Sequence, residues 1–189
     1  NKIIYCSMII EPLIIEGAYK ISPKRIGDDR GSFARLYCSK TFKEKGLNTN
    51  WIQTNVSIST KKATIRGIHY QKLPYGEIKL VRCVQGKIFD IIVDLRKKLK
   101  TYGKSLNLIL DSDTLDTVYI PEGCAHGFQT LTNYVELHYS HSQEYKPEYE
   151  AGIYFNDPDL EIDWPLIAST LSERDKTHPL LKTIEPIDL

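Results

Sequence analysis

No stretch of this chain stays apolar for more than a few residues before a turn residue interrupts it, and that limits the fold more than any other feature. Residues 55–59 alternate polar and apolar, the pattern of a half-buried strand. Residues 79–84 and 87–94 are two strand-like runs separated only by Gln85-Gly86, which reads as a β-hairpin. Residues 106–110, 117–120, 127–131 and 135–140 continue the series. Twelve Tyr and abundant Ile and Val suit strands. Helical signals are few: 39–45 reads as a turn or two, stopped by Gly46, and 165–170 as a second short helix. Many short strands with turns every 8–12 residues or so predict an all-β fold, a sandwich or barrel. Residues 165–189, with Pro165, Pro179 and Pro186, are expected to be irregular and to wrap the body.

A chain of 189 residues suits one domain, 1–189, with an N-terminal arm and the irregular C-terminal segment. Its 25 Lys and Arg balance 24 Asp and Glu, so it lacks the basic excess of a nucleic-acid binder. No apolar run approaches the ~20 residues that span a bilayer, which argues against a membrane partner. Cys6, Cys38, Cys83 and Cys124 have no metal-type spacing and read as reduced thiols of a cytoplasmic protein. Asn1 is not an initiator, and Met8, the sole methionine, is a candidate natural start.

Four places hold residues able to do chemistry. Arg66-Gly-Ile-His-Tyr-Gln71 is strand-like, so His69 and Gln71 share a face opposite Arg66; a polar surface strand fits equally well. In Ile120-Pro-Glu-Gly-Cys-Ala-His-Gly-Phe128, two glycines free the backbone around His126, which is either a core histidine or a side chain entering a cavity. Lys79 lies between apolar neighbours and faces outward, or faces inward with a partner and a task. Tyr139 shares a face with Val135 and Leu137, and if buried its hydroxyl needs a partner.

Taken together these segments resemble the nucleotide-sugar 3,5-epimerases, along the chain from about Ile9 to Leu181. The resemblance is carried by Asp29-Arg-Gly-Ser-Phe33, Gln53-Thr-Asn-Val-Ser57, Arg66-Gly-Ile-His-Tyr-Gln71, Lys79-Leu-Val81 and Val93-Asp-Leu-Arg96. It continues in Tyr119-Ile-Pro-Glu-Gly-Cys-Ala-His-Gly-Phe128, Asn156-Asp-Pro158, Asp163-Trp-Pro165 and Leu171-Ser-Glu-Arg-Asp175. It implies a cupin-type jelly-roll barrel and a homodimer in which strands cross between subunits. It also implies a nucleoside-diphosphate 4-keto-6-deoxyhexose as substrate, inverted at C3, C5 or both in deoxysugar biosynthesis.

The chemistry follows from the acidity of protons α to a ketone: a base, an oxyanion stabiliser and an acid on the opposite face suffice, with no cofactor. The resemblance assigns the base to His69, held by Asp175, the stabiliser to Lys79 and the acid to Tyr139. It places His126 in supporting hydrogen bonds, Arg30 and Arg66 on the diphosphate, and Gln53, Asn55 and Gln71 near substrate. Metal-dependent cupins share the barrel and are the competing reading, as is a sugar-binding cupin without turnover. A metal cupin usually carries His-x-His where this chain has His69-Tyr-Gln71, and His138 and His141 fall on opposite strand faces, so no metal is expected. Two positions depart from the family pattern. Arg35 stands where the dTDP enzymes commonly carry a glutamate that accepts from thymine; an arginine only donates, so it suits cytosine or another acceptor-rich base, unless it faces solvent. Glu77 replaces a glutamine two residues before the lysine, adding a carboxylate that either holds Lys79 charged or alters sugar contacts.

Overall fold

The computed structural model describes residues 7–189. Cys6 and Asn1 lie outside the described residues. The strands are β1 (Met8–Pro12), β2 (Tyr19–Pro23), β3 (Arg25–Asp28), β4 (Gly31–Ala34), β5 (Gln53–Ser59), β6 (Ile65–Gln71) and β7 (Lys79–Gln85). There follow β8 (Lys87–Asp94), β9 (Ser105–Asp111), β10 (Thr117–Ile120), β11 (Cys124–Thr130), β12 (Val135–His141) and β13 (Glu150–Gly152). Two short helices, α1 (Ser39–Glu44) and α2 (Glu173–Lys176), join them.

Two antiparallel sheets face each other as a jelly-roll barrel of the cupin type. One runs β1-β2-β10-β7-β12-β5, the other β13-β6-β11-β8-β9. The expected hairpin between the runs at 79–84 and 87–94 does not form. β7 pairs with β10 and β12, and β8 with β11 and β9, so the chain crosses from one sheet to the other at Gly86. Gly86 has φ +80°, and a side chain there would press on Val135. Both runs are buried, which is what crossing between two packed sheets requires.

The interior is graded. Its apolar end is built from Val81 and Cys83 of β7, Ile88 and Ile92 of β8, Val118 and Ile120 of β10, and Val135 and Leu137 of β12. The same inward rows then turn polar: Lys79 follows Val81, while Tyr139 and His141 follow Leu137. Burial on the apolar side, at ~25 cal/mol per Å² removed from water, fixes the strands that carry the polar residues at the open end. Outside the five-stranded sheet, Ile153, Leu160, Leu181 and Ile187 of the C-terminal segment pack on Ile68, Ile91 and Val93. On the outer face of the six-stranded sheet, Phe42 of α1 and Leu47 pack on Ile21 and Tyr119.

Residues 165–170 are not helical. Gln129 grips Leu166 at both its N–H and its carbonyl. Thr170 lies as a bridge beside Thr64, and its carbonyl accepts from Ile65 N–H. These bonds hold the segment extended, and the helix forms three residues later, capped by Ser172 Oγ accepting from Asp175 N–H.

Candidate active site

Strands β6 and β11 come unusually close at Gly67 and Gly127. Gly67 has φ +112°, and a Cβ on it would lie 2.7 Å from Gly127 Cα. The register slips at this point, between His126 and Phe128. Beyond the slip His69 and His126 are directly paired on the two strands. The slip also places Arg66 on the same cavity as His69, although simple alternation put them on opposite faces.

A cavity of about 540 Å³ opens at the polar end of the barrel. His69, Lys79, Tyr139 and Asp175 line it, as do Gln53, Asn55, Arg66, Gln71 and His126. Arg30 and Arg35 do not. Both are exposed, Arg30 at the tip of the β3–β4 hairpin paired with Asp28 and Arg35 just past its end.

His69 Nε2 lies 2.7 Å from Asp175 Oδ1. A carboxylate only accepts, so Nε2 carries the proton and Nδ1 is left with its lone pair. Asp175 is 3% exposed and also accepts from Gly67 N–H at 3.2 Å. Burial pushes its carboxyl up, but the hydrogen bond and charge of His69 and the Gly67 amide outweigh that and hold it below the ordinary carboxylate range.

Lys79 faces inward, 7% exposed, with its ammonium 3.1 Å from Glu77 Oε1. The other Glu77 oxygen accepts from His141 Nδ1 at 2.7 Å. Burial raises the Glu77 carboxyl, and Lys79 and His141 more than reverse this. Of the contacts open to Glu77, the structure shows the ion pair with Lys79 and the bond to His141. His126 Nε2 donates to Asp90 Oδ1 at 2.7 Å, and burial pushes that fully enclosed carboxyl up against the pull of His126. Tyr139 stacks beside His141, ring centroids 6.1 Å apart, and burial and the nearby Asp90 raise its phenol well above its usual range. It is therefore a protonated donor at any working pH.

The polar lining divides by what each side chain already holds. Both N–H donors of Gln71 are taken by the carbonyls of Tyr75 and Glu144, and its oxygen by Lys146 N–H, so it anchors the rim. Gln53 spends its oxygen on Tyr145 N–H, and Arg66 binds Ser59 Oγ and the Ile58 carbonyl.

The model of the family described as dTDP-4-dehydrorhamnose 3,5-epimerase matches residues 12–183. The chain belongs to that family. The enzyme of that name from Methanothermobacter thermautotrophicus is 41% identical over 153 residues, 80% of this chain and 81% of the relative. A dTDP-4-dehydrorhamnose 3-epimerase from Streptomyces niveus is 39% identical over 175 residues, 92% of this chain and 84% of the relative. Among solved structures, the dTDP-6-deoxy-D-glucose-3,5-epimerase from Legionella pneumophila, in complex with dTDP-4-keto-L-rhamnose, superposes with TM-score 0.91 at 34% identity, covering 97% of this chain and 99% of that one. Of the three readings weighed from sequence, the epimerase is the one this membership supports, and the protein is an isomerase.

Three groups in or against the lining of this cavity were not among the candidate site residues read from sequence. His141 continues the inward row of Val135, Leu137 and Tyr139, so period two extended by one step finds it. Asp90 sits inside an apolar run, and a buried carboxylate there calls for a partner. His178, near the chain end, gives no pattern at all. Its contact with the site is made by the C-terminal segment returning to β6. Cys38, Cys83 and Cys124 are free thiols, and burial pushes the last two up to about 12, where they are inert.

Proposed function

We propose that this epimerase inverts a nucleoside-diphosphate-linked 4-keto-6-deoxyhexose, with His69 as base, Lys79 as oxyanion stabiliser and Tyr139 as acid. The observation that carries the reading is the His69–Asp175 pair opening on the same cavity as the buried Lys79 ammonium. His69 Nδ1 takes the proton α to the ketone. The electron pair moves onto the C4 oxygen, where the ammonium offsets the developing charge. Tyr139 returns a proton to the opposite face, and its raised phenol keeps that proton available until a strong carbon base forms.

The diphosphate falls to Arg66 at the rim and to Arg30. Arg30 lies outside its own cavity on a protruding hairpin whose Phe33 is 64% exposed. Val56 and Ile58 likewise leave apolar side chains on the outer sheet face at 57% and 58% exposure. Both features support a homodimer in which one protomer's hairpin completes its partner's site, bringing Arg30 and Arg35 to the nucleotide. The Legionella relative holds a thymidine-linked sugar. Arg35 argues instead for a base offering an acceptor, since opposing two donors costs ~1–3 kcal/mol. Titrating CDP, GDP and dTDP decides the point, and Arg35→Glu should move the preference toward dTDP.

The deciding experiment is deuterium uptake from heavy water into a 4-keto nucleotide sugar. Label at C3, at C5 or at both counts the centres, which identity alone does not, because relatives named for one centre and for two match equally well. No uptake by folded protein with any of the three nucleotides would refute the reading.

A further inference from the structure

We propose that His69, Asp175 and His178 form a binding site for a zinc-type divalent cation, and that filling it switches the epimerase off by disarming its base. The switch, though not the binding, rests on His69 being that base.

His178 Nε2 is buried and has no hydrogen-bond partner. Buried polar atoms are rarely left so, and each such case calls for a cause. The atom is 3.5 Å from Asp175 Oδ1, which is 2.7 Å from His69 Nε2, and the three ligating atoms all lie within 4.8 Å of one another. Zinc bonds of ~2.0–2.1 Å in a tetrahedral arrangement put donor atoms ~3.3 Å apart, so the two carboxylate–imidazole pairs need change by less than about 1 Å and the two imidazoles close by at most about 1.5 Å. Two imidazoles and one carboxylate suit zinc and its transition-metal neighbours, whereas calcium and magnesium prefer oxygen ligands.

The surroundings keep the third ligand in place. The His178 ring packs over Gly152 of β13, where any Cβ would overlap it. Gly152 is not among the positive-φ glycines, so the backbone does not require glycine there and the ring does. The buried, unpartnered Nε2 of His178 is thus held beside Asp175 with nothing else to bond. Arg174 Nε, 3.9 Å from Asp175 Oδ1, opposes a cation, but its guanidinium is spent on Glu150 Oε2 at 2.6 Å. His69 and Asp175 line the reaction cavity, where the His69 side chain stays 24% exposed, and His178 lines a neighbouring one.

The inhibition follows from tautomerism. In the metal-free site the single proton of neutral His69 is on Nε2, facing Asp175, and Nδ1 accepts. A cation takes the Nε2 lone pair, so that proton moves to Nδ1. The ring then presents a donor to the substrate and has no lone pair for the proton α to the ketone. No bond to substrate forms and nothing is oxidised.

The test titrates metal-free protein with Co(II), read by its visible absorption, and with Zn(II), read by calorimetry, beside the heavy-water exchange assay. One ion should bind per chain and exchange should stop as the site fills. His178→Ala should lose at least about tenfold in metal affinity, and whatever metal-free exchange it retains should become zinc-resistant. His178→Gln, which keeps volume and polarity, should do the same if the alanine variant folds poorly. Absence of one-to-one binding, or equal binding by the variants, overturns the site. Stoichiometric binding through His178 with exchange undiminished overturns the switch, and His69→Ala assayed without metal then tells whether the base assignment failed with it.

Discussion

Replacing Lys79 by Met removes a charge from two places at once, and the structure separates the two losses. In the proposed reaction, the ammonium is the cation facing the developing enolate. Loss of one such stabiliser lowers the rate ~10²–10³-fold, about 2.7–4 kcal/mol of barrier. In the fold, Lys79 and Glu77 are an ion pair at 3.1 Å with side chains only 8% and 10% exposed. Breaking a buried pair from one side costs ~3–5 kcal/mol. Glu77 keeps His141 at 2.7 Å, which places the loss near the lower end, about 3 kcal/mol. For a chain of this length that is on the order of 10 °C in midpoint. The double variant Lys79→Met/Glu77→Gln removes the stranded carboxylate. Its urea or thermal midpoint should return most of the way to wild type, while exchange stays as low as in the single variant. Recovery of exchange along with stability would refute the argument, because Lys79 would then act only by holding the rim together.

Other outcomes follow from the same geometry. His69→Ala should abolish deuterium uptake at C3, and Asp175→Asn should weaken it less, since the amide oxygen can still orient the ring. Tyr139→Phe should leave part of the wash-in exchange and impair inversion, so labelled but uninverted sugar should accumulate in the product spectrum. Asp94, fully buried and bonded to Arg96 and Thr101, has its carboxyl raised by burial and lowered further by those partners, for a net depression. Asp175 and Glu77 are depressed too. Groups depressed on folding stabilise above their unfolded values, near ~4, and that stability is lost as pH falls through the folded values. Stability should therefore drop steeply below about pH 4, and Asp94→Asn should be less stable at neutral pH with a flatter acid limb in pH-dependent unfolding.

Strands were legible because period two is a local property: residues 117–120 and 135–140 stand as read, and 39–45 as a helix stopped at Gly46. Which strands pair is not local. Gln85-Gly86 looks like a hairpin loop, yet the chain changes sheets there, because two apolar runs bury better in opposite sheets than against each other in one. The segment at 165–170 has helical composition, but Gln129 and Thr64 claim its backbone first. Of the candidate site residues read from motifs, all but the two arginines at the hairpin line one cavity. His178, Asp90 and His141 were missed because their importance lies in what the fold brings beside them.

Asp175 reaches His69 from 106 positions away, delivered by a C-terminal segment that packs on the outside of the barrel. During synthesis the barrel strands, Lys79 and Tyr139 all leave the ribosome before His69 receives its carboxylate. On the proposed mechanism the pocket therefore works below its full rate until the segment carrying Asp175 has docked, and full turnover reports that docking.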